Sequence, residues 1–376
     1  MTETLKITVA GAGIGGLAAA AALAERGHQV RVAERAGEIA EVGAGIQISP
    51  NGSRVIDALG LGDALRAASV QAKAVRLIDG PTGREVLRLD LDQTPLFAWH
   101  FVHRADLINV LRTGAEAAGA RLETGVEIAP PPEGAALKGD DLLIGADGLK
   151  SAVRARVDDA SKPFFTRQVA WRAVIPGSDE DAPEVEVHMG PGRHLVSYPL
   201  TGRRRNIVAV EERTAWAEEG WSHEDHPANL RGAFAGFSPR VRGWLAEVKT
   251  PFLWGLFRHA VADRWYSGRQ VLLGDAAHPT LPFLAQGANM ALEDAWVLAR
   301  ALDDRAVPEA LAAYQQARRE RVRKVVDAAS RNARNYHLSF PPVRFAAHSM
   351  LRLAGAVAPE RVLGRLDWIY RHDVTA

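Results

Sequence analysis

Residues 5–10 are almost wholly apolar and rich in β-branched types, a pattern that predicts a buried strand. Gly11, Gly13, Gly15 and Gly16 break the run. An alanine-rich stretch over 17–26 then predicts a helix ended by Gly27. Residues 29–33 return to strand character. Strand, turn, helix and strand in this order make a right-handed βαβ unit opening an α/β domain. Pro50 and Asn51 start a further helix over 54–59, which stops at Gly60. Residues 75–91 fold into a strand pair about Gly80-Pro81-Thr82-Gly83, a strong turn signal. An amphipathic helix is predicted over 105–118 and a short buried strand over 141–144.

The middle of the chain changes character. From 169 to 210 the pattern becomes one of alternating strands, and Thr201-Gly202-Arg203-Arg204-Arg205-Asn206 turns 195–200 back against 207–210. The three arginines read as a solvated hairpin tip. This is an antiparallel sheet set inside an α/β chain. An apolar strand over 271–273 restores the first style, followed by long helices over 289–302 and 309–331. Residues 130–134 read as a loop. The architecture predicted is a nucleotide domain assembled from separated segments, with a β-rich domain inserted.

Composition narrows the function. Of 376 residues, 47% are hydrophobic and 24% charged, the balance of a chain with a sizeable core. Lysine plus arginine number 46 against 45 acidic residues, so nothing in the charge calls for nucleic acid or an anionic membrane. The absence of cysteine excludes disulfides, thiolate nucleophiles, cysteine-ligated zinc, iron–sulfur clusters and a cysteinyl-linked flavin. His223, His226, His259 and His278 lack metal-ligand spacing, so no metal is expected. The glycines that interrupt the first apolar run argue against a secretory leader, and no stretch has the ~20 apolar residues of a spanning helix. A cytoplasmic protein is expected. An apolar helix around 345–358 carries His348 and Arg352; core packing or a homodimer contact is expected of it rather than membrane association.

The first chemical motif is Gly11-Ala12-Gly13-Ile14-Gly15-Gly16, a match to G-x-G-x-x-G. Its first glycine permits the tight turn, the second lets backbone approach a pyrophosphate, and the third lets helix pack on strand. The helix start then offers free N–H groups to the phosphates. Glu34, at the end of the second strand, is placed to accept both ribose hydroxyl protons. Two more turns follow: Asp147-Gly148 with Ser151 and Arg154, and Gly274-Asp275-Ala276-Ala277-His278-Pro279 after the apolar strand.

In this order and at these separations the three motifs resemble the fingerprints of the flavoprotein aromatic hydroxylases, the family of 4-hydroxybenzoate hydroxylase. The segment Ala98-Trp99-His100-Phe101-Val102-His103-Arg104-Ala105-Asp106-Leu107 resembles that family's flavin-contacting stretch. Val169-Ala170-Trp171-Arg172, Gly190-Pro191-Gly192-Arg193-His194 and Leu284-Ala285-Gln286-Gly287-Ala288 resemble its salicylate hydroxylase and 3-hydroxybenzoate 6-hydroxylase branch, as do Tyr336-His337-Leu338 and Asp367-Trp368-Ile369-Tyr370. The fold implied is α/β: a Rossmann-like FAD-binding domain (1–72, 96–165 and 262–335), an inserted antiparallel β-sheet substrate domain (73–95 and 166–261) and a C-terminal helical tail (336–376).

The resemblance also implies a site. Non-covalent FAD would be held by Gly11, Gly13, Ile14, Gly15, Gly16, Leu17, Glu34 and Arg35 at its adenosine and pyrophosphate end, and by Arg104, Asp147, Gly148 and Asp275 along its chain. Ala44, Gly45, Ile46 and Gln47 would lie along the isoalloxazine. Gly287, Ala288 and Asn289 would open a helix towards its pyrimidine end, where reduction places negative charge. Pro282 would put its carbonyl near the oxygen and substrate site. The reaction implied takes a hydride from NADH or NADPH, combines reduced flavin with O2 as a C4a-hydroperoxide, and hydroxylates a small hydroxybenzoate-, salicylate- or hydroxypyridine-like ring.

Substrate activation is less defined. In the branch, a histidine often precedes the Tyr-Pro of the inserted sheet, where this chain has Ser197-Tyr198-Pro199. Ser197 and Gln286 are the expected substrate contacts, with Gln286 and Pro282 the expected catalytic pair. Strand alternation points His194 to the face opposite Ser197, which makes it a structural or edge histidine. A second reading keeps flavin and oxygen but makes the chain an epoxidase, an N-hydroxylase or a hydroxylase of quinone precursors.

Overall fold

Three β-sheets organise the chain. A computed structural model of the protein describes residues 3–39, 44–91, 98–132, 135, 137, 139–159, 162–214 and 223–376. The first sheet runs, edge to edge, Tyr266–Ser267, Gln270–Leu272, Leu142–Gly145, Lys6–Ala10, Gln29–Glu34 and Arg121–Thr124. Every pair is parallel except the Tyr266–Ser267 edge. Lys6–Ala10 is buried from Ile7 onward, as a strand covered on both faces must be. The chain continues to Gln29–Glu34 on one side of it and later returns to Leu142–Gly145 on the other, so the strand order reverses there. In such sheets a crevice opens at the C-terminal end of that strand.

The helix Ile14–Glu25 starts inside the glycine motif, three residues before the alanine-rich stretch that predicts it. It is buried from Ile14 to Ala24 because it lies between the sheet and the helix Gly287–Leu302. Alanines allow that close approach. A Cβ on Gly15 would stand 2.5 Å from Leu273 Cδ2 and 3.1 Å from Ala291 Cβ.

The second sheet has the order His223–Glu224, Phe252–Arg258, Phe164–Pro176, Arg204–Glu212, Arg193–Leu200, Glu184–Gly190, Ala74–Asp79 and Glu85–Asp90. It is antiparallel except where Glu184–Gly190 meets Ala74–Asp79 in parallel, a departure from the wholly antiparallel sheet expected. Its residues alternate between two destinations, as strand geometry requires. Val169, Trp171, Ala173, Leu195, Ile207 and Ala209 pack under the helices Pro227–Ala233 and Pro239–Glu247. Arg172, His194, Val196, Tyr198, Val208 and Val210 face the first sheet's crevice.

A third sheet of Gly45–Ile48, His100–His103 and Ser69–Gln71, which periodicity does not reveal, bridges the other two. Gly45 N–H donates to Asn206 Oδ1 at 2.7 Å. The expected boundary at 95–96 lies outside the described residues. The long C-terminal helix extends over Val307–Tyr336, and Pro341–Val357, Pro359–Gly364 and Asp367–Tyr370 follow it. Among the described residues no helix is long and apolar enough to cross a membrane.

Candidate active site

A cavity of about 310 Å³ lies between the crevice and the inner face of the second sheet. At its nucleotide end Gly11 turns with φ +103°, and a Cβ there would lie 2.5 Å from the Ala146 carbonyl oxygen. Gly13 differs: a Cβ on it would meet no protein atom within 4 Å. The space it leaves therefore belongs to the cavity. No side chain caps the helix that follows, so its first amides remain available to a ligand. Glu34 braces the turn, its two carboxylate oxygens accepting from Ala12 N–H and Ala36 N–H at 2.9 Å each.

Asp147 turns inward. Its carboxylate accepts from Ser151 Oγ at 2.5 Å and from the Ala152 amide at 2.8 Å, which shapes the Gly148–Lys150 wall of the cavity. Arg154 then donates to the Ala276, Ala277 and Ala260 carbonyls, tying the second motif to the third. Burial lowers the Arg154 pKa, opposed by Asp158. In the third motif Asp275 opens onto the cavity. The protein around it raises its carboxyl pKa, opposed by His278 and Arg104. Beneath it Asp294 accepts from His278 Nε2 at 2.5 Å, Arg318 Nε at 2.8 Å and the Gly274 amide at 3.1 Å.

The helix Gly287–Leu302 points its first turn into the cavity, with Gly287 and Ala288 on the lining. Gln286 is the expectation that changes most. Its side chain is fully buried, with Nε2 donating to Ser49 Oγ at 2.9 Å and Oε1 accepting from Asn51 Nδ2 at 3.0 Å. A carboxamide engaged at both ends anchors the helix start, and the residue also lines the cavity. Asn289 works beside it, accepting from the Ser49 amide and donating to the Gln47 and Ala285 carbonyls. Ala285, at φ 53° and ψ 36°, occupies the left-handed region that non-glycine residues seldom adopt. That turn places Pro282 and Ala285 on the cavity wall.

The opposite wall is the sheet face carrying Arg172 and His194. The Arg172 guanidinium stacks on the Trp254 ring, 3.9 Å from its centroid. His194 Nδ1 lies 2.6 Å from His337 Nε2, and His337 Nδ1 lies 2.8 Å from Glu212 Oε1. Burial lowers both histidine pKa values, the nearby His337 adding to the effect on His194 and Glu212 opposing it at His337. Burial also raises the pKa of the Tyr198 phenol, opposed by Arg172. Val196, Val208, Val210, Leu256 and Phe283 supply apolar surface between these polar groups.

Ser197 does not reach the cavity. It shares its strand face with Leu195, is buried beneath the helices, and accepts from Arg205 Nη1 at 3.0 Å. Arg205 is correspondingly buried against Asp181, so the expected solvated hairpin tip is only partly exposed. The alternation that separates His194 from Ser197 holds, but the cavity lies on the histidine side. Leu17 sits in the core and Arg35 on the surface, 3.8 Å from Glu127. Ala44 is buried and accepts the Arg104 amide through its carbonyl. Among the expected cofactor contacts, Gly13, Ile14, Gly15, Gly45, Ile46, Gln47, Arg104, Gly148, Asp275, Pro282, Gly287 and Ala288 line one cavity. Arg172 and His337 belong to segments legible as motifs, but no pattern in them marks which faces the cavity.

The fold and cavity define a nucleotide-binding oxidoreductase whose cavity is closed on one side by the second sheet. The chain belongs to the FAD binding domain family, whose model matches residues 4–136 and 140–329, and within it to the FAD-dependent aromatic-ring monooxygenases. It is 38% identical over 357 residues to 3-amino-4-hydroxybenzoate 2-monooxygenase of Streptomyces cremeus, covering 90% of this chain and 89% of that one. To 3-hydroxybenzoate 6-hydroxylase of Polaromonas naphthalenivorans it is 35% identical over 399 residues, covering 98% and 96%. Among solved structures, HpxO of Klebsiella pneumoniae complexed with FAD and uric acid superposes with a TM-score of 0.83 at 27% identity, covering 96% and 95%.

The residues present fit FAD. The open side of Gly13, the uncapped helix start and the Asp275 carboxylate facing the cavity form a cradle for a pyrophosphate and a polyol chain.

Proposed function

We propose that the chain hydroxylates a small phenol bearing a carboxylate, drawing two electrons from NADH or NADPH and one oxygen atom from O2. In balance, the arene, NAD(P)H, a proton and O2 give the phenol product, NAD(P)+ and water. The observation that carries this reading is the placement of Arg172 and His194 on one sheet face, with Val196 and Val208 between them in register. Two strand spacings and one two-residue step separate their Cα positions, roughly 12 Å, which the two side chains and one benzene ring can span. A planar guanidinium suits a carboxylate, and stacking on Trp254 holds its plane. The names of the relatives, 3-amino-4-hydroxybenzoate 2-monooxygenase and 3-hydroxybenzoate 6-hydroxylase, support a carboxylated phenol.

His194 takes the phenol proton. Glu212 requires the hydrogen of neutral His337 on Nδ1, which leaves His337 Nε2 to accept from His194 Nδ1–H. The lone pair of neutral His194 then sits on Nε2. A proton arriving there passes through His337 to Glu212, whose side chain is 52% exposed. The phenolate so formed is the better oxygen acceptor.

Gly13, Ile14, Gly15, Glu34 and Asp275 would hold FAD at its nucleotide and ribityl parts, and Arg104, Gly45, Ile46, Gln47, Gly287 and Ala288 towards the ring. The chemistry that a bound FAD supplies is hydride acceptance and oxygen activation. Val210, Trp254, Leu256 and Phe283 keep water from the reacting carbon, and Pro282 borders the same space. The segments 1–72, 96–165 and 262–335 serve the cofactor, 73–95 and 166–261 the substrate, and 336–376 form the tail of a cytoplasmic enzyme.

The test is oxygen-dependent NADH and NADPH oxidation with hydroxybenzoates, aminohydroxybenzoates and hydroxypyridines, with product masses recorded. A carboxylated phenol that speeds oxidation and gains sixteen mass units is the expected result. Faster oxidation yielding only hydrogen peroxide with every compound overturns the substrate class. A +16 product on nitrogen or a non-aromatic carbon establishes the epoxidase or N-hydroxylase reading.

A further inference from the structure

The short helix Asp367–Tyr370 brings its last residue against the turn that carries Pro282, 86 residues earlier in the chain. That turn is strained. Ala285 holds φ 53° in the left-handed region, which a non-glycine residue keeps only where its surroundings over-determine it. Three side chains from three helices do so here. The Phe283 carbonyl accepts from Asn332 Nδ2 at 3.0 Å, the Leu284 carbonyl from the Tyr370 hydroxyl at 3.3 Å, and the Ala285 carbonyl from Asn289 Nδ2. Leu284 itself packs with Trp99, Ile369 and Tyr370, while Pro282, Phe283 and Ala285 line the cavity.

Tyr370 also supports a second stretch of the cavity wall. Its ring centroid lies 4.8 Å from that of Trp99, whose Nε1–H donates to Gln47 Oε1 at 3.1 Å. Gln47 lines the cavity beside Gly45 and Ile46. The backbone that carries the tyrosine is pinned in turn. Arg321 donates to the Trp368 and Ile369 carbonyls at 2.8 and 2.9 Å and also to Glu293 in the helix Gly287–Leu302. Burial pushes the Tyr370 phenol above its ordinary pKa, Tyr336 adding to the effect, so the hydroxyl stays a donor.

We propose that Tyr370 is a positioning residue for oxygen transfer. By holding the Leu284 carbonyl and, through Trp99, Gln47, it fixes the turn 282–285 so that oxygen reaches the substrate ring instead of leaving as hydrogen peroxide. The inference rests on the reading that this cavity holds FAD and substrate together. A misplacement of about 1 Å costs about 10²-fold in rate, and water admitted to such a site favours the side reaction. In that side reaction NAD(P)H, a proton and O2 give NAD(P)+ and hydrogen peroxide, with the substrate unchanged.

The experiment compares Tyr370→Phe with the natural chain, both loaded with FAD. The substitution removes the hydroxyl and keeps the ring on Trp99, and the Leu284 carbonyl keeps the Gln286 Nε2 donor at 3.4 Å. Flavin content and melting temperature are therefore expected to stay as they are. The share of NAD(P)H that ends in hydroxylated product is expected to fall about two- to tenfold, the remainder appearing as hydrogen peroxide. The KM for substrate should change little, and the visible circular dichroism of the bound flavin should shift before any substrate is added. Trp368→Ala, whose side chain is 43% exposed on the same short helix, is expected to leave both readouts alone. If the natural chain hydroxylates no phenol, the substrate reading falls and the flavin signal decides the role of Tyr370, an unchanged signal overturning it. With a hydroxylated substrate in hand, coupling equal to that of the natural chain overturns the proposal. So does an equal loss of coupling in Trp368→Ala. A Tyr370→Phe protein that loses flavin and melting temperature together also overturns it, because the phenol would then be a contact of the fold alone.

Discussion

His194 Nδ1 and His337 Nε2 stand 2.6 Å apart, and the Glu212 carboxylate 2.8 Å behind His337 decides which of them holds the hydrogen. A surface carboxylate thereby sets the tautomer of a histidine at the cavity wall through a second histidine. His194→Asn is expected to lower kcat/KM by about 10²-fold or more, the usual scale of a general base, with flavin content unchanged. Burial depresses the His194 pKa, so its neutral form persists below the ordinary histidine range. The acid limb of kcat/KM against pH should therefore lie below about 6.5. A limb at or above that value would remove His194 as the base.

Arg172 should discriminate among substrates. Arg172→Gln is expected to raise KM for hydroxybenzoates about 10- to 100-fold, the scale of a lost charge-assisted bond. Phenols without a carboxylate should be nearly unaffected. Equal losses on both groups would mean that Arg172 supports the wall and reads no carboxylate.

Gly13→Val separates folding from cofactor binding. A Cβ at Gly13 meets no protein atom, so the substituted protein should fold with little change in melting temperature while losing its FAD. Asp275→Ala should also weaken flavin retention. Normal FAD absorbance in purified Gly13→Val would show that the pyrophosphate passes elsewhere.

Gln286→Ala leaves the buried Ser49 and Asn51 side chains short of partners. A loss of about 1–3 kcal/mol in stability is expected, measured by denaturant unfolding, with a smaller effect on KM. A large rise in KM with unchanged stability would return Gln286 to the substrate.

Two buried carboxylates set the acid limit. Burial alone would raise the Glu293 pKa, but Arg318 and Arg321 bring it down to about 2. Glu186 is likewise brought to about 2 by His188 and Arg240, against the opposing effect of burial. Each unfolded-state value is near 4.5. Their contribution is therefore whole above about 4.5 and is lost as pH falls from there towards 2. Glu293→Gln should cost roughly 3–5 kcal/mol at neutral pH, since it strands buried arginines, and should flatten the pH dependence of stability in that window. An unchanged slope would assign the acid limit to other groups.

The sequence by itself determined the nucleotide half. Local chain geometry carries that information. Gly11 turns with φ +103° against the Ala146 carbonyl, where glycine is required, and Gly13 leaves the cavity open beside it. The apolar run before them forms the buried strand Lys6–Ala10. It also placed Asp275 in the turn after its strand and a helix over 289–302, two residues short of the Gly287 start, because both follow from local pattern. What tertiary structure alone decided is which side of the second sheet is the inside. Period-two alternation separates His194 from Ser197 but is symmetric between faces. The helices Pro227–Ala233 and Pro239–Glu247 break the symmetry by covering the Ser197 side, leaving Arg172 and His194 to the cavity. Gln286 and His337 fall in the same class. Their partners Ser49, Asn51 and Glu212 lie 237, 235 and 125 residues away in the chain, and no local pattern encodes a contact at that separation.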